Sequence, residues 1–330
     1  MTTTRTQKTL VLALVYVSVF TATISRAADP LPSWNDGPTK RAILAFVAGA
    51  IDKSGPNFIA PEDRIATFDN DGTLWCEQPV VELVFTEGKL KEMAAKDPTL
   101  KEKQPFKAAL EHDRKYFEKK GMKAVLELVV ATHGNISQQD FEKEVDEFFQ
   151  TERHPKFDVP FAKMAYLPMV ELLNYLRANG FQTWICSGGW MDLMRGVTQQ
   201  AYGIPPQQVI GSSMKEKWTE KNGQYVLWLQ PELLTICDHD GKPVNIDLHI
   251  GKRPVLAAGN VRTGGDIEML RYCQQRKSVP TLQLMVNHDD PVREFEYGEK
   301  NNASLDAARK HGWHVVSVKN DWKKVFSFDK

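Results

Sequence analysis

The segment RIATFDNDGTLW, residues 64–75, places two carboxylates, Asp69 and Asp71, directly after a short apolar run. Carboxylates this close repel each other, so a cation, a proton or solvent must compensate for their charge. Ligands of open parallel sheets bind beyond the carboxyl ends of the strands, which is where this pair lies if the run is a strand. Such a pair can serve as nucleophile and acid/base, or as oxygen ligands of a hard cation.

Two interpretations without catalysis compete for the same segment. Asn70-Asp71-Gly72 is a good turn sequence, and a solvated turn needs no cation. A calcium loop of the EF-hand type also uses D-x-D spacing, but both possible registers fail. A loop that begins at Asp69 puts Leu74 where glycine belongs, and one that begins at Thr67 has Gln78 in place of the bidentate glutamate.

Groups of related chemistry follow later apolar runs. TWICSGGW ends with Ser187-Gly188-Gly189, whose hydroxyl and backbone N–H groups can bind phosphate oxygens. PVLAAGNVRTGGD carries Asn260 and Asp266, whose side-chain oxygens can ligate a cation such as Mg²⁺. Between them, GKPVNIDLHIG predicts a short helix that opens with Lys242. Each of these signals is weak alone. Their occurrence together, in this order along the chain, favours a catalytic site over a solvated turn.

The elements that position these groups follow from the apolar pattern. Helical segments lie between most of the short runs that predict buried strands, which are residues 65–69, 181–187, 208–214, 254–260, 281–287 and 313–318. Strands that alternate with helices predict an α/β fold with a parallel sheet covered on both faces. A hairpin with Asn222-Gly223 at its turn interrupts the later half.

Residues 77–165 break this alternation, because helix follows helix and no convincing strand appears. Ser137 and Asp140 form a capping box ahead of aromatic residues at helical spacing, which we interpret as core rather than as a substrate site. We therefore predict an α-helical cap at 77–165, inserted into a core made of residues 28–76 and 166–330.

The first 27 residues are expected to be removed. Two basic residues precede the apolar stretch Leu10–Phe20, and Ser25-Arg26-Ala27 places small residues at positions −3 and −1 of a cleavage site. This pattern predicts a signal peptide at 1–27 and a periplasmic or secreted protein, with an uncleaved anchor as the alternative. No cysteine follows the cut and no later run approaches about 20 apolar residues, so we expect no stable membrane anchor after cleavage.

Composition bears on partners and on redox state. The 330 residues include 42 basic and 42 acidic ones, and residues 1–27 hold three basic and no acidic ones, which leaves 39 against 42. This is not the basic footprint of a nucleic-acid-binding protein. The cysteines form no C-x-x-C pair and predict no zinc site, although an exported protein could oxidise one unidentified pair. They are Cys76, Cys186, Cys237 and Cys273.

From Arg64 onwards the chain resembles the haloacid dehalogenase (HAD) superfamily, in its phosphatase branch and similar to phosphoserine phosphatases. DNDGT resembles the first motif of that family, ICSGG the second and GNVRTGGD the fourth. Lys242 is favoured as the third motif over Lys252. The helical insert lies where the family has its cap. The resemblance implies a Rossmann-like, doubly wound core and Mg²⁺-dependent phosphoryl transfer through an aspartyl-phosphate.

The resemblance also implies a role for each residue. Asp69 would be the nucleophile and Asp71 the acid/base, while Ser187, Gly188 and Lys242 would bind the phosphate. The metal ligands would be Asp69, Asp71, Asp266 and Asn260. An asparagine stands where many members carry an aspartate, so this metal site would have one charge less.

Asp71 separates the two main chemistries of the family. Dehalogenases lack the second aspartate, because a halide leaves without protonation. We therefore predict an exported Mg²⁺-dependent phosphomonoesterase that hydrolyses a small phosphorylated substrate. The alternatives are a dehalogenase, a phosphonatase and a non-catalytic metal- or ligand-binding protein. A phosphonatase of this family usually needs a Schiff-base lysine from the cap, and no cap lysine stands out. A non-catalytic protein would have no physical need for both carboxylates.

Several residues near the motifs have open roles. VNHDDPVREFEY follows a predicted strand, so His288 and Asp289 could reach the active edge of the sheet. Asp290 before a proline is equally well explained as a helix N-cap. Residues that flank the motifs could contact substrate or simply pack, and these are Trp75, Glu77 and Trp190.

Overall fold

The computed structural model describes residues 28–329, so the predicted signal peptide lies outside the described residues. Within residues 28–329, nine strands form one sheet. The strands are β1 (Ile65–Phe68), β2 (Ile136–Ser137), β3 (Gln182–Trp190), β4 (Val209–Lys221), β5 (Gln224–Thr235), β6 (Leu256–Asn260), β7 (Leu282–Asp289), β8 (Glu296–Tyr297) and β9 (His314–Ser317).

Helices cover this sheet and fill the insert between β1 and β3. They are α1 (Pro38–Ile51), α2 (Val81–Lys96), α3 (Phe106–Leu110), α4 (Arg114–Lys120), α5 (Met122–His133), α6 (Gln138–Thr151), α7 (Leu167–Ala178), α8 (Met191–Tyr202), α9 (Gly241–Ile250), α10 (Ile267–Gln274), α11 (Ala303–His311) and α12 (Val318–Asp321). Among the described residues, no helix combines the length and the apolar character needed to cross a membrane.

The middle of the sheet is parallel, in the order β4-β3-β1-β6-β7-β9. These are the six strands predicted from the apolar runs, and β1 and β6 are buried along their whole length, as parallel strands covered on both faces must be. The predicted α/β class with a parallel, Rossmann-like core is therefore confirmed.

The register of β1 brings the motifs together. Phe68, the last residue of β1, pairs with Ile185 of β3 on one side and with Ala258 of β6 on the other. Ser187 lies two residues after Ile185, and Asn260 lies two residues after Ala258. The carboxyl ends of all three strands thus meet at one edge of the sheet, directly beyond which lies Asp69.

The later half contains the predicted hairpin. β4 and β5 are antiparallel, and Asn222 and Gly223 at their turn have φ angles of 51° and 79°, as a two-residue type I′ turn requires. β2 pairs with β5 through Ile136 and Leu229, which attaches the insert to the edge of the sheet. The sequence predicted no strand there, because two residues are too few to show alternation.

The interpretation of the capping box is confirmed. Ser137 caps α6: its Oγ accepts a hydrogen bond from the backbone N–H of Asp140 and donates one to the carboxylate of the same residue. The apolar side chains on the inner face of α6 are buried core residues. They are Phe141, Val145, Phe148 and Phe149.

Candidate active site

A cavity of about 170 Å³ opens at the shared edge of β1, β3 and β6. Every site residue predicted from the sequence lines it: Asp69, Asp71, Ser187, Gly188, Lys242, Asn260 and Asp266. The alternative lysine, Lys252, lies elsewhere, where it is 45 % exposed and forms an ion pair with Asp63. The lysine of the cavity is therefore Lys242.

Lys242 joins the first and fourth motifs. It is the second residue of α9, it is buried, and its Nζ lies 2.7 Å from Asp69 Oδ1 and donates a second hydrogen bond to Asp266 Oδ1. Burial disfavours the ammonium, but the carboxylates of Asp266 and Asp69 outweigh it and hold the pKa of Lys242 well above its ordinary value. The side chain is thus a fixed positive charge between two carboxylates.

Oxygen atoms converge on the side-chain amide of Asn260. Its Nδ2 lies 2.8 Å from the Asp71 carbonyl oxygen, 3.1 Å from Asp69 Oδ2, 3.3 Å from Thr73 Oγ1 and 3.4 Å from Asp266 Oδ2. Its Oδ1 instead accepts a hydrogen bond from the backbone N–H of Arg262, at 2.9 Å. The predicted ligand atom of Asn260 therefore points away from the convergent oxygens in this arrangement, and the amide must turn before its oxygen can ligate a cation.

The oxygens around the Asn260 amide can be compared with the ligands preferred by Mg²⁺, the metal implied by the family resemblance. Hard oxygen donors of this kind are what Mg²⁺ prefers, so the donor set fits the ion in type. Only Asp69 and Asp266 contribute carboxylates to the set. Accordingly, the described part of the chain holds no group of three or more His, Cys, Asp or Glu side chains able to bind a metal.

The carboxyl groups of the cavity show an excess of negative charge. Burial and the charge of Asp69 raise the pKa of Asp266 to about 7, although Lys242 opposes the shift. Burial and the charge of Asp71 raise the pKa of Glu82 to about 8. Burial and Asp69 likewise raise the pKa of Asp71. A cation bound at the convergent oxygens would relieve this repulsion.

The orientation of Asp71 suits a proton donor. The indole Nε1–H of Trp75 donates to Asp71 Oδ1 at 2.8 Å, so Trp75 has a polar role in addition to its packing. The other oxygen, Oδ2, faces Gly189, where a Cβ atom would lie 3.2 Å from it. Because Oδ1 already accepts a hydrogen bond, the acidic proton belongs on Oδ2, the oxygen toward the second motif.

Two positions in the motifs require glycine because another side chain lies very close to the backbone there. A Cβ at Gly189 would lie 2.5 Å from Glu82 Oε1, and one at Gly259 would lie 2.4 Å from the Cβ of Asp266. Real side chains do not approach so closely, so any larger residue would displace a carboxylate of the cavity.

Sequence reasoning missed three charged residues that line the cavity: Glu82, Asp238 and Arg262. Glu82 lies in the first turn of α2, and its Oε1 accepts a hydrogen bond from the backbone N–H of Trp190 at 2.6 Å, which links the insert to the core. A glutamate in a first turn is also favoured by the helix dipole, so its position alone carried no functional signal. Arg262 pairs with the buried Glu77 at 2.5 Å.

Of the residues whose roles were open, Glu77 lines the cavity, whereas His288, Asp289 and Asp290 lie outside it. His288 contacts Glu294 and the backbone of Gly72. Asp289 binds the hydroxyl of Ser317 on β9. Asp290 accepts N–H bonds from the two residues after Pro291, so it caps a turn rather than a helix.

The cysteines of the described chain are buried free thiols. The Sγ atoms of Cys186 and Cys237 lie 3.6 Å apart.

The family model of haloacid dehalogenase-like hydrolases matches residues 66–260, more than half of the chain. The chain belongs to this family. The match spans the first motif, the insert and the second motif, and it ends at Asn260 in the fourth. No curated protein matches the sequence.

Two solved structures show the same fold. A conserved protein of unknown function from Anaerococcus prevotii superposes with a TM-score of 0.54 at 14% identity, covering 88% of this chain and 97% of that one. A protein of unknown function from Bordetella pertussis gives 0.51 at 15% identity, covering 77% and 97%. A phosphoserine phosphohydrolase-like protein from Francisella tularensis gives 0.39 at 16% identity, covering 77% and 94%. At these identities the likeness of the first two structures concerns the fold and not the activity.

The contacts of Asn260 lead to a prediction about metal binding. Asn260→Asp removes the amide N–H donors from Asp69 and Asp71 and adds a third carboxylate to the convergent oxygens. We expect the variant to unfold at a lower temperature in EDTA, and Mg²⁺ to raise its unfolding temperature by a few degrees more than that of the parent. Thermal unfolding with and without Mg²⁺ measures both effects.

The matched control is Asn287→Asp, the same change at the end of β7 but outside the cavity. This control should respond to Mg²⁺ as the parent does. If Mg²⁺ leaves the unfolding of Asn260→Asp unchanged, the oxygens around residue 260 do not form a cation site.

Proposed function

We propose that this hydrolase is a Mg²⁺-dependent phosphomonoesterase that acts through an aspartyl-phosphate on a small organic phosphate. The proposal rests on one observation: two aspartates, Asp69 and Asp71, lie in the same cavity but in different environments. Asp69 is bound to a buried ammonium, whereas burial and its neighbour favour the protonated form of Asp71. One residue is thus suited to attack and the other to donate a proton.

The reaction follows from these positions. A carboxylate oxygen of Asp69 attacks phosphorus, and the bond to the leaving oxygen breaks as Asp71 Oδ2 gives that oxygen its proton. Asp71, now ionised, accepts a proton from the water that hydrolyses the acyl phosphate. Lys242 and the hydroxyl of Ser187 are placed to bind phosphoryl oxygens. Mg²⁺, held by Asp69, the Asp71 carbonyl, Asp266 and a turned Asn260, would supply further charge neutralisation.

The size of the cavity limits the substrate. Pockets that bind drug-sized ligands measure roughly 300–1,000 Å³. The cavity here, at about 170 Å³, can enclose a phosphoryl group and a small leaving group, and it opens to solvent. A phosphorylated metabolite with a short carbon skeleton therefore fits better than a nucleotide.

Hydrolysis of a panel of phosphorylated metabolites and of p-nitrophenyl phosphate tests the proposal. We expect phosphate release with Mg²⁺, none in EDTA, and recovery when Mg²⁺ is returned in excess. A haloalkanoate and a phosphonate test the two related chemistries in the same assay. Turnover of the haloalkanoate or the phosphonate without ester hydrolysis would contradict the proposal and favour a dehalogenase or a phosphonatase. A complete lack of turnover would favour a binding protein.

We also propose export, because residues 1–27 combine basic residues, an apolar stretch and a Ser-Arg-Ala cleavage site. The protein isolated from its native cell is expected to begin near Ala28. Mass spectrometry of the intact protein measures this directly. An intact N-terminus on a cytosolic protein would contradict export without affecting the catalytic proposal.

A further inference from the structure

A buried chain of hydrogen bonds behind the cavity ends on the loop that carries the two aspartates. His288, near the end of β7, contacts the Gly72 carbonyl oxygen through Nε2 at 2.7 Å and Glu294 Oε2 through Nδ1 at 2.9 Å. The hydroxyl of Tyr166 donates to the other oxygen of Glu294. The side chains of His288 and Glu294 are both 0 % exposed.

The acceptors define the protonation of this ring. A carbonyl oxygen can only accept, so the Nε2 atom of His288 carries a proton. Glu294 accepts from Tyr166 at one oxygen and faces Nδ1 with the other, so the ring of His288 is held at both nitrogens. Tyr297, opposite His288 on β8, stacks on the ring with centroids 4.2 Å apart. Losing one member of this buried set leaves a polar group without its hydrogen-bond partner, so the set holds its geometry firmly.

The carbonyl that His288 binds belongs to the residue after Asp71. The preceding carbonyl, that of Asp71 itself, accepts from Asn260 of β6 at 2.8 Å. Two neighbouring strands thus each hold one of two successive peptide groups. Gly72 has a φ of 74°, which glycine adopts readily, and its N–H donates to the Trp75 carbonyl, so the two outside contacts add to the loop's own hydrogen bonds. With one contact removed, the loop can rotate and carry the Asp71 carboxyl away from the leaving oxygen.

We propose that His288, held by Glu294 and Tyr166, is a positioning residue of the reaction. It fixes the Gly72 carbonyl and thereby keeps Asp71 directed at the cavity. His288 does not line the cavity, so it acts through the loop and not on the substrate. This role rests on the proposed phosphatase function.

Steady-state kinetics of His288→Leu with Mg²⁺ tests the proposal, using p-nitrophenyl phosphate and an alkyl phosphate. Misplacing a catalytic group by about 1 Å can cost about 10²-fold in rate. We expect a loss of this order in kcat for the alkyl ester, a smaller loss for the aryl ester, and a KM within about threefold of the parent. His288→Gln, whose amide can still donate to Gly72, should recover most of the rate.

Two further variants separate positioning from folding. Asp289→Asn alters hydrogen bonds of the next residue on β7 that face β9, and it should keep the parent's kcat. His288→Leu combined with Glu294→Gln removes the buried carboxyl group that has lost its partner, so it should unfold nearer to the parent's temperature while kcat stays low. Equal losses in Asp289→Asn and His288→Leu, or a His288→Gln variant no better than His288→Leu, would overturn the proposal.

Nuclear magnetic resonance of ¹⁵N-labelled histidine gives a reading independent of turnover. In the parent, the Nε2 proton of His288 should be protected from exchange with solvent, because it is buried and bound to the Gly72 carbonyl. An Nε2 proton that exchanges as fast as that of an exposed histidine overturns the contact on which the positioning depends. If the parent hydrolyses no phosphate ester, the proposed function fails and the role of His288 with it; if the parent is active and His288→Leu equals it on alkyl esters, this inference alone fails.

Discussion

Asp69→Asn is expected to reduce the hydrolysis of every phosphate ester to background, a loss of about 10⁴-fold or more. The amide that replaces the carboxylate has no attacking oxyanion, so no acyl phosphate can form whatever the leaving group. The fold should persist, because Lys242 retains its second carboxylate partner, Asp266. The measurements are kcat/KM for aryl and alkyl phosphates and the intact mass after quenching, which should show no phosphorylated protein.

Asp63→Asn is the matched control for this variant. Asp63 precedes β1 at the opposite end of the strand and pairs with Lys252 at the surface. The same chemical change is therefore made at the far edge of the sheet, and it should leave the kinetics close to those of the parent. Substantial turnover by Asp69→Asn would remove the aspartyl-phosphate mechanism altogether.

The sequence predicted the parts of the fold that depend on local pattern. Each parallel strand is a short apolar run, and the insert shows helical periodicity, so both could be recognised without tertiary information. The edge where Asp69, Ser187 and Asn260 meet was also predictable, because the carboxyl ends of parallel strands lie together. The two-residue strand β2 was not, since it exists only through its pairing with β5.

The contacts that tune the site could not be predicted, because they join segments far apart in the sequence. Glu82 belongs to the first helix of the insert, yet it reaches the backbone of Trp190, 108 residues later. His288 binds a carbonyl 216 residues before it. The direction of the Asn260 amide depends on a backbone N–H two residues later in a loop whose path no periodicity reveals. Residue types gave the list of chemical groups, and only the fold gave their orientation.

The position of Glu82 connects the insert to catalysis. Its carboxyl group lies beside Asp71 and Gly189, and its pKa is raised to about 8 by burial and by Asp71. Below about pH 8 the insert therefore adds a protonated carboxyl group next to Asp71, and only at higher pH does it add a negative charge. At such a pH this arrangement disfavours a substrate whose leaving group is itself anionic.

Asp71→Asn is expected to separate the two half-reactions, in contrast to Asp69→Asn. The variant keeps the nucleophile, and its amide oxygen can still accept the indole N–H of Trp75, so the geometry of the loop should persist. It loses the proton for the leaving oxygen and the base for the attacking water. Since burial raises the pKa of Asp71, removing its charge should not lower the unfolding temperature.

The leaving group determines which step of Asp71→Asn is slow. An alkoxide leaves badly without a proton, so alkyl phosphates should lose about 10²- to 10⁴-fold in the first step. A nitrophenolate needs little protonation, so p-nitrophenyl phosphate should still phosphorylate Asp69 and then stall, giving a burst of nitrophenol equal to the enzyme concentration. In the parent, kcat/KM for an alkyl ester should fall as pH rises through the raised pKa of Asp71, because the acid must be protonated, and this limb should vanish in the variant. Stopped-flow kinetics and pH profiles measure both effects; equal losses for the two ester types without a burst would show that another group transfers the proton.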